Sequence, residues 1–283
     1  MSAKIIQLEQ VALSALQSAL ELDRNDARME AYLLLQYALQ VDRAWLITHA
    51  DDTLSPGQHA DFQALLQRRI NGEPIAHILG TREFFGLPLK VTPDTLIPRP
   101  DTETLVEQAL AIIPQQSSYQ VLDLGTGTGA IALAIAKYRP QTHVTAVDFS
   151  ESALAVAREN AEHLAIHNVV FLHSHWFSAI NSKRFDVIVS NPPYIAENDP
   201  HLSQGDVRFE PKSALTSGVD GLDDIRKIIK QAPQYLNPNG WLLLEHGYDQ
   251  AQAVAALLSQ AHFKEIGHGL DLAGIQRVTF GKV

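Results

Sequence analysis

Two spacings of hydrophobic residues divide the chain. Through about residue 75 apolar positions recur at helical intervals with almost no strand signal. Ala31, Leu34, Leu35 and Ala38 fall on one face of a helix expected from Ala27 to Leu39, behind Asp26. Ser55 followed by Pro56 predicts an N-cap with proline at the first helical position, opening a helix through about Ile70. Asn71-Gly72-Glu73-Pro74 breaks this pattern, and Arg82 to Phe85 and Leu89 to Thr92 then flank Gly86-Leu87-Pro88 as a hairpin-like connection. Prolines 98 and 100 force extended backbone, after which Asp101 and Glu103 enter the first turn of a helix running to about Ile113.

From Tyr119 onward short apolar strands alternate with helices, the pattern of a parallel sheet covered on both faces. Val121 to Leu124, Val144 to Val147, Val169 to Leu172, Phe185 to Val189 and Trp241 to Leu244 read as five such strands, with helices beginning near Ala130, Glu151 and Leu222. Phe263 to His268 and Gln276 to Phe280, joined by a short glycine-containing link, predict a closing antiparallel pair. The expected organisation is a helical domain over 1–75, a β-hairpin linker over 76–100 and an α/β, Rossmann-like domain of seven strands over 101–283.

Composition narrows the function classes. The chain has 283 residues, 46% hydrophobic and 19% charged, which describes an ordinary globular protein with room for two domains. No apolar run approaches the ~18 residues of a membrane span, and Met1 to Ala19 does not read as a secretory signal; a cytoplasmic location is expected. Cysteine is absent, which excludes disulfides, thiolate nucleophiles and thiolate zinc sites. His163, His167, His173 and His175 cluster in sequence but lie on a helix and a strand end without a partner carboxylate motif, so no metal is expected. The formal charge is −10. Neither half of the chain is basic, which weighs against a free nucleic-acid substrate.

Candidate chemistry begins at Asp123-Leu124-Gly125-Thr126-Gly127-Thr128-Gly129, between the first strand and its helix, where glycines permit a tight turn and close approach of a nucleotide-like cofactor to bare backbone. Gly125, Gly127 and Ala130 also satisfy the dinucleotide fingerprint of hydride-transfer enzymes. Asp148 ends the second strand, placed to accept hydrogen bonds from both ribose hydroxyls, a device NAD enzymes share. Trp176 follows the third strand, where an indole either covers an adenine ring or packs into the sheet edge.

The fourth strand runs directly into Asn191-Pro192-Pro193-Tyr194 at the ligand-binding edge. The two prolines remove two amide donors and leave nearby carbonyls to face a guest, with the Asn191 side-chain carbonyl beside them. Two acceptors facing one way suit a planar NH2 and hold its nitrogen lone pair toward an incoming methyl group. Tyr194 is placed to pack against the target group. Dehydrogenase chemistry has no use for this tetrapeptide, so it turns the glycine loop toward methyl transfer.

Asn191-Pro192-Pro193-Tyr194 behind a glycine loop resembles the class I methyltransferases that act on exocyclic or amide nitrogens, including adenine-N6, guanine-N2 and protein glutamine enzymes. Asn71-Gly72-Glu73-Pro74-Ile75-Ala76-His77-Ile78-Leu79-Gly80, Glu83-Phe84-Phe85-Gly86-Leu87, Pro98-Arg99-Pro100-Asp101-Thr102-Glu103 and Arg208-Phe209-Glu210-Pro211 further resemble the peptide chain release factor glutamine methyltransferases. That resemblance implies S-adenosyl-L-methionine as cofactor and the N5 amide of the glutamine in the Gly-Gly-Gln tip of release factors as target, with the helical domain helping to hold the protein substrate. It implies cofactor contacts at Gly125, Thr126, Gly127, Thr128, Gly129, Asp148, Trp176 and Asn191, and a glutamine site of Asn191, Pro192, Pro193 and Tyr194, with Asn191, Pro192 and Tyr194 catalytic. His175 departs from the family pattern, which carries an acid there. Residues Ile195 to Ser213 form a long segment expected to gate substrate; Arg99 and Glu210 either line the same cavity or pair with each other.

Overall fold

The computed structural model describes residues 3–283, which form two compact units: the chain up to Gly80 together with Pro200–Phe209, and Thr81–Asp199 together with Glu210–Val283. In the first unit α1 (Ile5–Leu20), α2 (Arg24–Leu39), α3 (Arg43–Thr48), α4 (Pro56–Ile70) and α5 (Ile75–Leu79) close around Leu8, Leu16, Leu34, Leu35, Phe62 and Leu66. Ser55 caps α4 as expected, accepting from the Gln58 amide while Gln58 reaches back to the Ser55 amide. The cap of α2 lies three residues earlier than expected: Asp23 accepts from the Asn25 and Asp26 amides, so Asp26 sits in the first turn.

A buried ion pair fastens this unit. Arg69 donates to Glu30 at 2.7 and 3.1 Å, and its remaining nitrogen reaches the Glu73 carbonyl at 2.9 Å and Asp206 at 3.2 Å. Both side chains of the Arg69–Glu30 pair are almost wholly buried.

The second unit opens with a hairpin, β1 (Thr81–Phe84) and β2 (Leu87–Lys90). Its turn is Phe85–Gly86, both at positive φ, so the second strand starts two residues before the sequence pattern suggested. Pro88 is tolerated because a two-stranded ribbon consists only of edges. After α6 (Glu103–Ile112), the chain alternates β3 (Gln120–Leu124), α7 (Ala130–Tyr138), β4 (His143–Asp148), α8 (Glu151–His163), β5 (Val169–His173), β6 (Phe185–Ser190), α9 (Asp223–Gln231), β7 (Leu236–Glu245), α10 (Ala251–Gln260), β8 (Lys264–Leu270) and β9 (Gln276–Lys282).

One seven-stranded sheet results, in the order β5-β4-β3-β6-β7-β9-β8, with the first five strands parallel and β9 antiparallel to both its neighbours. The expected closing pair is therefore present. Strand alternation divides the core into two layers. Val121, Val187, Val189 and Leu243 face the layer with α6 and α7, and Leu122, Leu124, Ile188 and Leu244 face the layer with α9 and α10. Among the described residues no helix is long and apolar enough to cross a membrane.

Removing one member of a buried ion pair leaves the other charge without compensation. Glu30→Ala is expected to destabilise the helical unit by about 3 kcal/mol, near the lower end for such pairs because Arg69 keeps Asp206 and carbonyl partners. Amide hydrogen exchange should show lost protection across α2 and α4 with β3 to β7 unchanged.

Candidate active site

β3 and β6 are parallel neighbours with connections leaving in opposite directions, β4 and β5 to one side and β7 to the other. Such a reversal opens a crevice outside the carboxyl ends of the strands. Leu124 pairs with Ser190 in register, and the Ser190 hydroxyl donates to the Leu124 carbonyl at 2.7 Å. Gly125 and Asn191 thus leave the sheet side by side. A cavity of about 340 Å³ opens there, lined by Gly125, Gly127, Asp148, Trp176, Asn191 and Pro193 among others. A smaller recess of about 50 Å³ shares Leu96, Gly125, Gly127 and Asn191 with it and continues to Arg99 and Thr102.

Gly125, Gly127 and Gly129 all have left-handed backbone, with φ of 73°, 54° and 84°. The loop curls so that the Gly125 and Thr126 amides both donate to the Val147 carbonyl at 2.9 Å, and the Gly127 amide donates to Asp148 Oδ2 at 2.8 Å. A Cβ placed on Gly127 would meet no protein atom within 4 Å, so bare backbone faces open space. Asp148 Oδ1 accepts from the Ser150 amide at 2.9 Å, and each oxygen keeps lone-pair capacity for a hydroxyl guest. Burial pushes the Asp148 carboxyl up, and the backbone amides of Ser150 and Gly127 pull it back toward the charged form.

The aromatic walls come from two residues. Trp176, at φ 51°, sits against Gly125, and its buried Nε1 has no hydrogen-bond partner among the described residues. Phe149, directly after Asp148, is 67% exposed on the cavity rim and meets the His175 ring edge-on at 5.7 Å. Phe149 is a cavity-lining residue that spacing did not single out, although its place after the acidic strand end was the available signal. His175 also lines the cavity, while His173 donates to the Phe149 carbonyl at 2.7 Å.

Thr126 and Thr128 are buried and line the smaller recess. Thr126 donates to Asp123 Oδ2 at 2.6 Å, and Asp123 is pushed up to about 7 by burial, with that hydroxyl opposing the shift. The Thr128 carbonyl accepts from Asn160 Nδ2 at 3.0 Å. Asn160 also exchanges hydrogen bonds with the Lys90 backbone, tying the glycine loop to the hairpin. Nothing in the local sequence of α8 marks that role.

Asn191 is half-buried and donates from Nδ2 to Thr102 Oγ1 at 3.2 Å, which leaves Oδ1 as the free acceptor. Pro193 lines the larger cavity, whereas Pro192 and Tyr194 line neither. Tyr194 instead packs on the core layer below, its phenol donating to Glu245 Oε1 at 3.3 Å and its carbonyl accepting from Gln250 at 3.0 Å. Gly221 passes so close that a Cβ there would lie 2.1 Å from the Tyr194 carbonyl oxygen. Arg99 both faces the smaller recess and pairs with Glu210 at 2.6 Å, while Glu210 Oε1 accepts from the Ile97 amide. The segment after Tyr194 contains three short 3-10 turns, and Ile195 closes its base by bonding to Leu215 and Ser217.

A cavity near 300 Å³ or above is in the usual range for a small-molecule site. Its open glycine backbone, its half-buried carboxylate at a strand end and its indole and phenyl walls fit the ribose and adenine of S-adenosyl-L-methionine. A family model described as "Methyltransferase domain" matches residues 115–270, and one described as "PrmC N-terminal domain" matches residues 10–80. The chain is 52% identical to the release factor glutamine methyltransferase of Salmonella typhimurium, over 92% of this chain and 94% of that one. It is 51% identical to that of Vibrio cholerae, over 96% of each. A methyltransferase from Pyrococcus furiosus shares the fold at 18% identity, with a TM-score of 0.54 over 76% of this chain and 96% of that one. With the glycine loop, the Asn-Pro-Pro-Tyr turn and the helical N-terminal unit all present in one chain, the protein belongs to the release factor glutamine methyltransferases, enzymes that draw on S-adenosyl-L-methionine.

Proposed function

We propose that this chain methylates N5 of the glutamine in the Gly-Gly-Gln tip of peptide chain release factors. The observation that carries this reading is the Asn191 amide, anchored through its nitrogen on Thr102 with its oxygen left as an acceptor on the wall common to both recesses. A glutamine amide nitrogen is a poor nucleophile because its lone pair is delocalised into the carbonyl. Asn191 Oδ1 and a backbone carbonyl of the same turn, each accepting one of its hydrogens, would favour a pyramidal nitrogen and so stabilise the transition state selectively. When bound, S-adenosyl-L-methionine supplies an electrophilic methyl group on its sulfonium.

Cofactor binding is assigned to Gly125 through Gly129, Asp148, Trp176 and Asn191, with Phe149 added from the cavity rim. Pro193 is assigned to the cavity wall, and Pro192 and Tyr194 to the rigid backbone that carries Asn191. Tyr194 acts in this reading through its anchored phenol and carbonyl rather than through an open ring face. The helical unit is proposed to help hold the protein substrate. A cytoplasmic setting, and a substrate that is protein rather than free nucleic acid, go with this target and with a formal charge of −10.

Incubating the enzyme with a release factor, DNA and RNA in parallel should yield methyl incorporation into the release factor alone, at the Gly-Gly-Gln glutamine by mass spectrometry; label in nucleic acid instead would reject the assignment. Asn191→Ala should lower kcat by about 100-fold or more, the usual cost of losing one transition-state hydrogen bond, with a much smaller loss of cofactor affinity. Equal losses in both would remove Asn191 from the amide. Asp148→Ala should weaken cofactor binding roughly 10- to 100-fold, the worth of hydrogen bonds to a charged group, and calorimetry showing unchanged affinity would take it off the ribose.

A further inference from the structure

Glu245 ends β7 one residue past Leu244, which pairs with Ser190, so the register sets it beside Asn191 at the carboxyl edge of the sheet. It is 2% exposed, and one of its oxygens, Oε2, has no hydrogen-bond partner among the described residues. A bare carboxylate oxygen at such depth is costly and calls for a partner. The groups around it are the two ends of the Asn-Pro-Pro-Tyr turn. Tyr194 donates to Oε1 at 3.3 Å. Asn191 donates to Thr102 Oγ1 at 3.2 Å, and the Thr102 hydroxyl, itself 4% exposed, faces the same carboxyl and favours its charged form.

A hydroxyl has one hydrogen to give. If Thr102 gives it to an acceptor-only carboxylate, its oxygen can only accept from Asn191, so Asn191 must present Nδ2 to Thr102 and Oδ1 to the guest. We propose that Glu245 is a positioning residue that sets, through Thr102, which end of the Asn191 amide faces the substrate. This rests on the amide-holding role of Asn191 and adds its cause. A Thr102 hydrogen turned to the carboxyl is one way to supply the partner that Oε2 lacks.

The charge state of Glu245 is then decisive. Burial pushes its carboxyl up to about 7, Asp101 from the turn before α6 pushes the same way, and Thr102, Tyr194 and Arg277 from β9 oppose. Tyr194 is held well above its ordinary value by burial and by Glu245, so it remains a donor. His246, next along the chain, turns to Thr279 and is kept neutral by burial. Above about 7 the carboxylate only accepts and the order is fixed. Below it a protonated Glu245 can donate to Thr102, whose hydrogen is freed to turn toward Asn191 and reverse its amide.

The test uses the full-length enzyme with a release factor. Thr102→Val should lower kcat roughly 10- to 100-fold, the scale of a small misplacement of a reacting group, at unchanged cofactor Kd, and Thr102→Ser should restore most of it. The wild-type kcat should fall as pH drops through about 7, and Glu245→Gln should be slow and lack that limb. NMR of the cofactor-free protein should show the Asn191 side-chain amide hydrogens protected from exchange in wild type and Thr102→Ser but not in Thr102→Val. Full kcat in Thr102→Val, or an acid limb that persists in Glu245→Gln, would overturn the proposal. Should Asn191→Ala also keep full activity, the amide reading itself fails; should only Asn191→Ala be slow, that reading survives and the Glu245 order does not.

Discussion

The arrangement of the site depends on one constraint, the in-register parallel pairing of β3 with β6 at the point where the chain reverses direction across the sheet. Leu124 and Ser190 are partners, and the Ser190 hydroxyl on the Leu124 carbonyl holds the two strand ends level. A slip of one residue would turn every side chain of β6 to the opposite face, sending Val187 and Val189 into the layer that now holds Ile188 and leaving Asn191 out of step with the glycine loop. Core packing therefore enforces the alignment of the two motifs, and neither could be placed by its own residues.

The segment Arg99-Pro100-Asp101-Thr102-Glu103 shows how a short motif without chemistry of its own serves that alignment. Arg99 pairs with Glu210, Asp101 meets Arg277 at 3.2 Å, Thr102 receives the Asn191 amide, and Glu103 accepts from the Phe85 amide at 2.9 Å. Pro100 starts the 3-10 turn that sends these side chains in different directions. Four parts of the chain, the hairpin, the turn after β6, the returning loop and the last strand, are thereby referred to one rigid corner. Asp101 is half exposed, so its ion pair with Arg277 contributes little to stability and its value is geometric, whereas the Glu210 carboxylate that Arg99 meets is fully buried.

Much of the frame was legible because period and turn chemistry are local. The apolar runs gave all seven strands of the sheet, and Gly125 to Gly129 and Asn191 to Tyr194 were found where the topology gives them meaning. The misplaced edges have particular causes. β7 begins at Leu236 rather than near Trp241 because Asn237-Pro238-Asn239-Gly240, which looks like a turn, is looped out within the strand, with Asn237 bonding Asp186. The helix expected near Asp26 starts earlier because Asp23 wins the cap. What stayed hidden is long-range: Glu245 lies 51 residues from Tyr194, Thr102 lies 89 from Asn191, and Asn160 lies 32 from Thr128. Such pairings follow from tertiary packing, and one chain without its relatives carries no local trace of them.

Gly221 has a consequence for how loss of activity should be interpreted. It contributes no functional group, yet the space its missing side chain leaves is filled by the Tyr194 carbonyl. A random-mutagenesis screen would therefore return this position among the inactive clones, far along the chain from the Asn-Pro-Pro-Tyr turn and with nothing reactive to explain it. A map of intolerant sites in this enzyme outlines steric clearance as well as reactivity, and the two are told apart only by asking which atoms would collide.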